Sequence, residues 1–250
     1  MGMKGGNFLF ANRLEEGVIK ARPNRFVMLV EVHGKIVKCH CPSTGRIGSI
    51  RFVDVPCLLS KSADAKRKMP YTVEAFSLDG PAAGRKRWIG INQVKANRYV
   101  EHFLRSGRMP RIAAKGALVE RERKVGRSRI DFSVNGDMFV EVKTMLVNIP
   151  CEGHPNYVEP KKGFNGTERM ARHFRELGRS VVRGGKAVLL MCFLYDAKPF
   201  RPPRPTRDTR AIHRAARKAA GQGMEYWQAN FKVDEKGVEL RDYFPLKLFD

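Results

Sequence analysis

The chain has 250 residues, and 48 Lys and Arg against 25 Asp and Glu give it a formal net charge of +23. An excess of that size is the electrostatic footprint of a polyanion partner, with nucleic acid, DNA or RNA, the first candidate. A membrane partner is not supported: no apolar run approaches a membrane span, and no long basic amphipathic helix ends in aromatics.

The five cysteines (Cys39, Cys41, Cys57, Cys151 and Cys192) are odd in number and widely scattered, unlike a secreted disulfide scaffold. They read as reduced thiols of a cytosol-like compartment: cytoplasm, nucleoid or organelle matrix. Cys39-His40-Cys41 has no second cluster at matching spacing, and alternating strand residues cannot close a tetrahedral zinc site alone. Met1 to Ala11 carries one lysine and no Arg/Ser-rich amphipathic stretch, so neither a signal peptide nor an intact transit peptide is expected.

Residues 17–80 read as short strands: Val18-Ile19, Phe26 to Val30, Ile36-Val37 and Val55 to Leu59 are separated by Pro23-Asn24, His33-Gly34 and a Gly-containing loop. That spacing suggests a small barrel, OB-like or SH3-like. The loop Cys41 to Arg46 offers hydroxyls and backbone donors beside Arg46, suited either to a phosphate or simply to joining two strands. Lys66-Arg67-Lys68 is a candidate contact to a phosphate backbone, and Tyr71 after it is expected to pack in the barrel.

Gly80 to Gly84, with Pro81 inside it, is the expected domain boundary, dividing the chain into residues 1–82 and 83–250. Trp88 to Ile91 then reads as a strand and Asn97 to Leu104 as a helix, with Asn97 as N-cap and Arg98 a candidate nucleic-acid contact. Residues 105–129 are strongly basic, including Arg127 and Arg129, against only Glu120 and Glu122.

Ser128 to Val134, Asn135-Gly136-Asp137 and Met138 to Lys143 form a hairpin signal, Asn-Gly between two apolar β-rich runs. A three-residue loop pairs Val134 with Met138, Phe132 with Val140 and Ile130 with Val142, giving one continuous core face. The other face then sets Asp131 across from Glu141, with Lys143 two residues along. A two-residue loop would mix polar and apolar residues on both faces, which burial rejects. Facing carboxylates repel unless a cation lies between them, and hard oxygen ligands with open positions suit Mg²⁺ or Mn²⁺. The set Asp131, Glu141 and Lys143 resembles the active site of the PD-(D/E)xK nuclease superfamily.

Residues 148–166 read as loop. Thr167 opens a helix to about Leu177, with Met170, Phe174 and Leu177 as its apolar stripe. Arg169 and His173, one turn apart on a polar face, could meet a phosphate, although a lone histidine is more often structural. Ala187 to Tyr195 is a buried central strand. Residues 198–218 form a basic arm carrying Arg201, Arg204 and Arg207; its first half is Pro-rich and its second half, Thr209 to Ala220, helical. Such an arm is mobile unless something holds it, which points to a partner. A closing strand and short tail follow from Glu225.

Ser-Arg-Ile-Asp-Phe (128–132) with Val-Glu-Val-Lys-Thr (140–144), His40 to Gly45, Lys66-Arg67-Lys68, Ala96-Asn97-Arg98 and Thr167-Glu168-Arg169 with His173 resemble the sugar fermentation stimulation protein A (SfsA) family. The segments run in the family's order from about residue 15 to about residue 195; Gly163 to Gly166 departs from the family's pattern, which holds a more acidic run there. The resemblance implies an α/β chain with an all-β first part: an OB-like nucleic-acid-binding barrel, then a PD-(D/E)xK nuclease-like domain. It further implies Asp131 and Glu141 as metal ligands, Lys143 as catalytic lysine, and Glu120, rivalled by Glu122, as an upstream helix acid. Two functions follow: a Mg²⁺-dependent nuclease, or a silent nucleic-acid binder, for example within a large RNA–protein particle such as a ribosome.

Overall fold

The computed structural model describes residues 6–126, 128–146, 149–159 and 167–249. After a short β1 (Phe8–Leu9), strands β2 (Glu15–Asn24), β3 (Val27–Val32), β4 (Lys35–His40), β5 (Val55–Lys61) and β6 (Tyr71–Ser77) make an antiparallel sheet in the order β4-β3-β2-β5-β6. A parallel pairing of β4 with β6, Cys39 with Tyr71 and His40 with Thr72, closes it into a five-stranded barrel. Alternation drives this: Met28, Val30 and Val32 point inward from β3 while Leu29 and Glu31 do not.

The barrel sheet does not stop at Gly80 to Gly84. β7 (Trp88–Gly90) pairs with β6 through Ala75–Gly90, Phe76–Ile89 and Ser77–Trp88, so the glycine-rich stretch is a loop within the sheet. The seam therefore falls near Ile91, not residue 82. Conversely β1 hydrogen-bonds to the last strand of the second sheet and does not belong to the barrel. Both departures are long-range pairings, invisible to local turn signals.

Helix α1 (Gln93–Arg105) follows; Asn92, not Asn97, is its N-cap, with its side chain accepting from the Lys95 amide. Then come β8 (Val119–Val125), β9 (Ser128–Val134), β10 (Met138–Thr144), α2 (Thr167–Val182), β11 (Lys186–Phe193), α3 (Arg210–Gly221), β12 (Glu225–Val233) and β13 (Gly237–Pro245). The second sheet has seven strands in the order β1-β13-β12-β11-β10-β9-β8, with β11 in the centre. β10, β11 and β12 are parallel; the other pairs are antiparallel. The stretch from Glu225 thus forms two strands rather than one.

Alternate residues of β11 separate the two layers. Leu190 and Cys192 face a core with Tyr99, Val100 and Phe103 of α1; Leu189, Met191 and Phe193 share a core with Phe174 and Leu177 of α2, Ile212 and Ala216 of α3, and the barrel interior. This second core is continuous between barrel and sheet, so the two parts fold against one another.

Candidate active site

The hairpin forms with the three-residue loop. Val134 pairs with Met138, Ser133 with Phe139 and Phe132 with Val140, and Asn135 and Gly136 take φ of 51° and 82°, which Asn and Gly tolerate best. The ladder then ends one pair before Asp131 and Glu141. The Val142 amide donates to the Asp131 carboxylate (Oδ2, 2.8 Å) instead of to a β9 carbonyl, a side chain displacing backbone pairing. In consequence Ile130 does not pair with Val142 or share its face. Val142 packs in the α1-side core and Ile130 in the other, so the expected single core face breaks at Asp131.

That break places the two carboxylates between the helix layers. Asp131 receives a second hydrogen bond from Asn97 Nδ2 of α1 (2.8 Å). Glu141 is only 2% exposed, and its Oε1 accepts from Lys143 Nζ and lies against His173 Nδ1 of α2. Its Oε2 is buried with no hydrogen-bond partner.

Burial and the charge of Glu141 push the Asp131 carboxyl above its usual range, against the Val142 amide, Lys143 and Asn97. Burial acts the same way on Glu141, but the His173 hydrogen bond together with the charge and hydrogen bond of Lys143 outweighs it and holds that carboxyl below its usual range. Asp131 thus carries the unrelieved repulsion of the pair. A cleft of about 520 Å³ borders this cluster, lined by Asn97, Val142, Lys143 and Met170 among others.

A divalent cation fits this donor set. Two carboxylates come together, one with an orphaned buried oxygen that a cation would satisfy, and all donors are hard oxygens. Among the described residues no group of three or more His, Cys, Asp or Glu is arranged to hold a metal ion.

Glu120 is not on a helix: it lies on edge strand β8, with its carboxylate 3.7 Å from Arg123 and opposite Ser133 in register. Glu122 beside it pairs with Arg129 at 2.9 Å. The basic run of residues 105–129 hides this strand because, of its residues, Val119 alone is buried. His173 does not face solvent with the basic residues. It is 6% exposed, on the inner stripe of α2 with Met170, Phe174 and Leu177 at helical spacing. The residue missed was Asn97, whose only visible signal was its place between Ala96 and Arg98.

The candidate phosphate contacts are spread over several elements. Arg46 follows β4, Lys66, Arg67 and Lys68 lie between β5 and β6, Arg98 is on α1, and Arg201, Arg204 and Arg207 are on the arm; all are exposed. Arg127 and the side chain of Arg169 lie outside the described residues, as does Gly163 to Gly166. The root of the arm is tied to the sheet. The buried Gln228 accepts from the Phe200 amide (2.7 Å) and donates to the Lys198 carbonyl (3.1 Å), and Asn230 donates to the Ala197 carbonyl (2.8 Å).

A closed five-stranded barrel of OB type followed by a mixed α/β sheet with an Asp…Glu-x-Lys cluster defines a two-part class of protein. The family model described as the SfsA N-terminal OB domain matches residues 21–91, and the sugar fermentation stimulation protein RE domain matches residues 94–237. The sugar fermentation stimulation protein homolog of Teredinibacter turnerae is 32% identical over 248 residues, covering 96% of this chain and all (100%) of its own. That of Synechococcus sp. (strain JA-3-3Ab) is also 32% identical, over 92% of both chains. The solved structure of Pyrococcus furiosus SfsA in complex with Ca²⁺ has the same fold, with a TM-score of 0.72 at 20% identity over 97% of this chain and 99% of that one. The chain belongs to the sugar fermentation stimulation protein family.

Proposed function

We propose that this chain binds nucleic acid and hydrolyses its phosphodiester bonds at Asp131, Glu141 and Lys143, with Mg²⁺ or Mn²⁺ as cofactor. The observation that carries the reading is the buried Glu141 carboxylate: one oxygen is held by Lys143 and His173, and the other has no partner. The OB-type barrel, the +23 charge and the family model's designation as an RE domain support it. So does the Ca²⁺ in the Pyrococcus furiosus neighbour, a divalent cation bound to a chain of this fold.

Asp131 and Glu141 would hold the ion, which supplies an acidified water and charge neutralisation at the phosphate. The chain's own groups do the rest. Asn97 and the Val142 amide fix both oxygens of Asp131. His173 packs against Glu141 Oε1 and leaves Oε2 for the ion. Lys143, two residues from Glu141 on one strand face, carries an ammonium that can donate to a non-bridging phosphate oxygen or to the attacking water. Asn97 and His173 are positioning residues; Lys143 and the two carboxylates are catalytic.

Mn²⁺ titration followed by electron paramagnetic resonance tests the metal. Wild type is expected to bind Mn²⁺, competed by Mg²⁺, and Glu141→Gln to lose it. Equal binding by both proteins would place the ion elsewhere and remove the basis of the mechanism.

A further inference from the structure

Helices α2 and α3 pack side by side over the α2-side core and approach closely at one point. A Cβ at Gly178 would lie 3.3 Å from Ala219 Cα and would displace the Gln222 side chain, so a glycine there eases the close approach of the helices. Away from that contact they part around a cleft of about 570 Å³ whose helix-facing residues include Ala171, Ala211 and Ala215. Its walls carry Arg172, Arg175 and Arg179 from α2 and Arg214 and Lys218 from α3.

The rows follow from helix geometry. Residues 172, 175 and 179 are one and two turns apart, and 214 and 218 one turn apart, so each set lines one side of its helix. All five side chains are exposed cations. α3 contains no acidic residue; α2 has Glu168, whose side chain lies outside the described residues, and Glu176, whose carboxylate stands 3.7 Å from Arg179. Like charges at this spacing repel, and a bound polyanion relieves that repulsion. The row from Arg172 to Arg179 runs about 10 Å along α2 at about 1.5 Å per residue, the length of about three nucleotides of one strand.

The groove also adjoins the site. Met170 lines the cleft beside Lys143 and Asn97, while the next two residues, Ala171 and Arg172, line the groove. One turn of α2 is thus the wall between them, and its inner side carries His173 to Glu141.

We propose that the α2–α3 groove is a nucleic-acid backbone track, gripping the phosphates of the strand that enters or leaves the Asp131–Glu141 cleft. It rests on the nucleic-acid reading above but not on cleavage. Phosphate alone could also be supplied by inorganic polyphosphate, and the test separates the two.

The measurement is the salt dependence of binding to a fluorescein-labelled 20-mer, single-stranded and duplex, in EDTA, for wild type and the triple variant Arg175→Gln/Arg214→Gln/Lys218→Gln. Three lost phosphate contacts lower the slope of log K against log salt by about 2 to 3. Because the residues are exposed and the change removes repulsion, the variant is expected to melt no lower than wild type. Protection of Lys218 against acetylation, read by mass spectrometry on the unmodified sequence, supplies a readout that needs no variant. Protection by the 20-mer supports the track. Unchanged slope in a protein that binds the 20-mer overturns the track alone. Protection by polyphosphate but not by the oligonucleotide overturns it too, and absence of any binding by wild type overturns it with the reading beneath it.

Discussion

Glu74 offers a sharp test of how the barrel supports the site. It lies on β6, 2% exposed, and its carboxylate accepts from Ser60 Oγ, Asn92 Nδ2 (2.8 Å) and Lys95 Nζ. Asn92 caps α1, Lys95 lies in its first turn, and Asn97 further along donates to Asp131. Glu74→Ala leaves three donors without their acceptor. Breaking a buried charge pair costs about 3 to 5 kcal/mol; Lys95 keeps 30% side-chain exposure and can turn to water, which brings the figure to about 3 kcal/mol. For a chain of this size that lowers Tm by about 6 to 12 °C. Differential scanning calorimetry reads it directly. The double variant Glu74→Ala/Lys95→Met removes the stranded ammonium and should recover part of the loss, a coupling of about 1 to 2 kcal/mol. A Tm within about 2 °C of wild type for Glu74→Ala would show that this junction does not hold α1 in place, and the link from barrel to Asp131 would fall with it.

Three further outcomes follow from the structure. His173→Ala leaves the buried Glu141 carboxylate with Lys143 alone and should cost about 2 kcal/mol in urea unfolding while weakening Mn²⁺ binding; unchanged values in both would deny His173 a positioning role. The Arg87 side chain holds the Asp79 carboxyl down at about 2. Because the folded value lies below the unfolded one, the stabilisation is present above the ordinary value of 3.8 and lost as pH falls through about 2. The gap in urea midpoint between wild type and Asp79→Asn should therefore close between those values, and a gap that persists below pH 2 counts against the pair. Gln228→Ala removes the bonds to the Phe200 amide and the Lys198 carbonyl, so trypsin should nick the arm after Arg207, whose neighbour is not proline as it is for Lys198, Arg201 and Arg204, several-fold faster; an unchanged rate would mean that Asn230 alone anchors it.

Much of the site was legible because it depends on strand period and turn chemistry. Asn135-Gly136 between alternating apolar runs sets the register from Val134–Met138 to Phe132–Val140, and that register alone brings Asp131 toward Glu141. What could not be read is the capture of the Val142 amide by the Asp131 side chain, a local competition that the apolar pattern does not encode. His173 was misplaced because its row on α2 holds both arginines and apolar residues, and only packing against Glu141 decides which side turns inward. Glu74 passed unnoticed since its partners lie in a different element, and the extension of the barrel to Gly90 since β7 pairs across the glycine-rich loop. The arm looked unsupported because Gln228 and Asn230, which hold it, lie about 30 residues further on in a buried strand.

The central claim is that Asp131, Glu141 and Lys143 form a metal-dependent hydrolytic centre. Its most direct test is cleavage of labelled DNA and RNA with Mg²⁺, Mn²⁺ or EDTA, wild type beside Asp131→Ala and Lys143→Ala. The account predicts cutting that needs the metal and falls by at least about 100-fold in both variants, with oligonucleotide binding in EDTA retained. Tight binding without cutting under every metal condition, the same in all three proteins, would contradict it and leave a nucleic-acid-binding platform with a vestigial site.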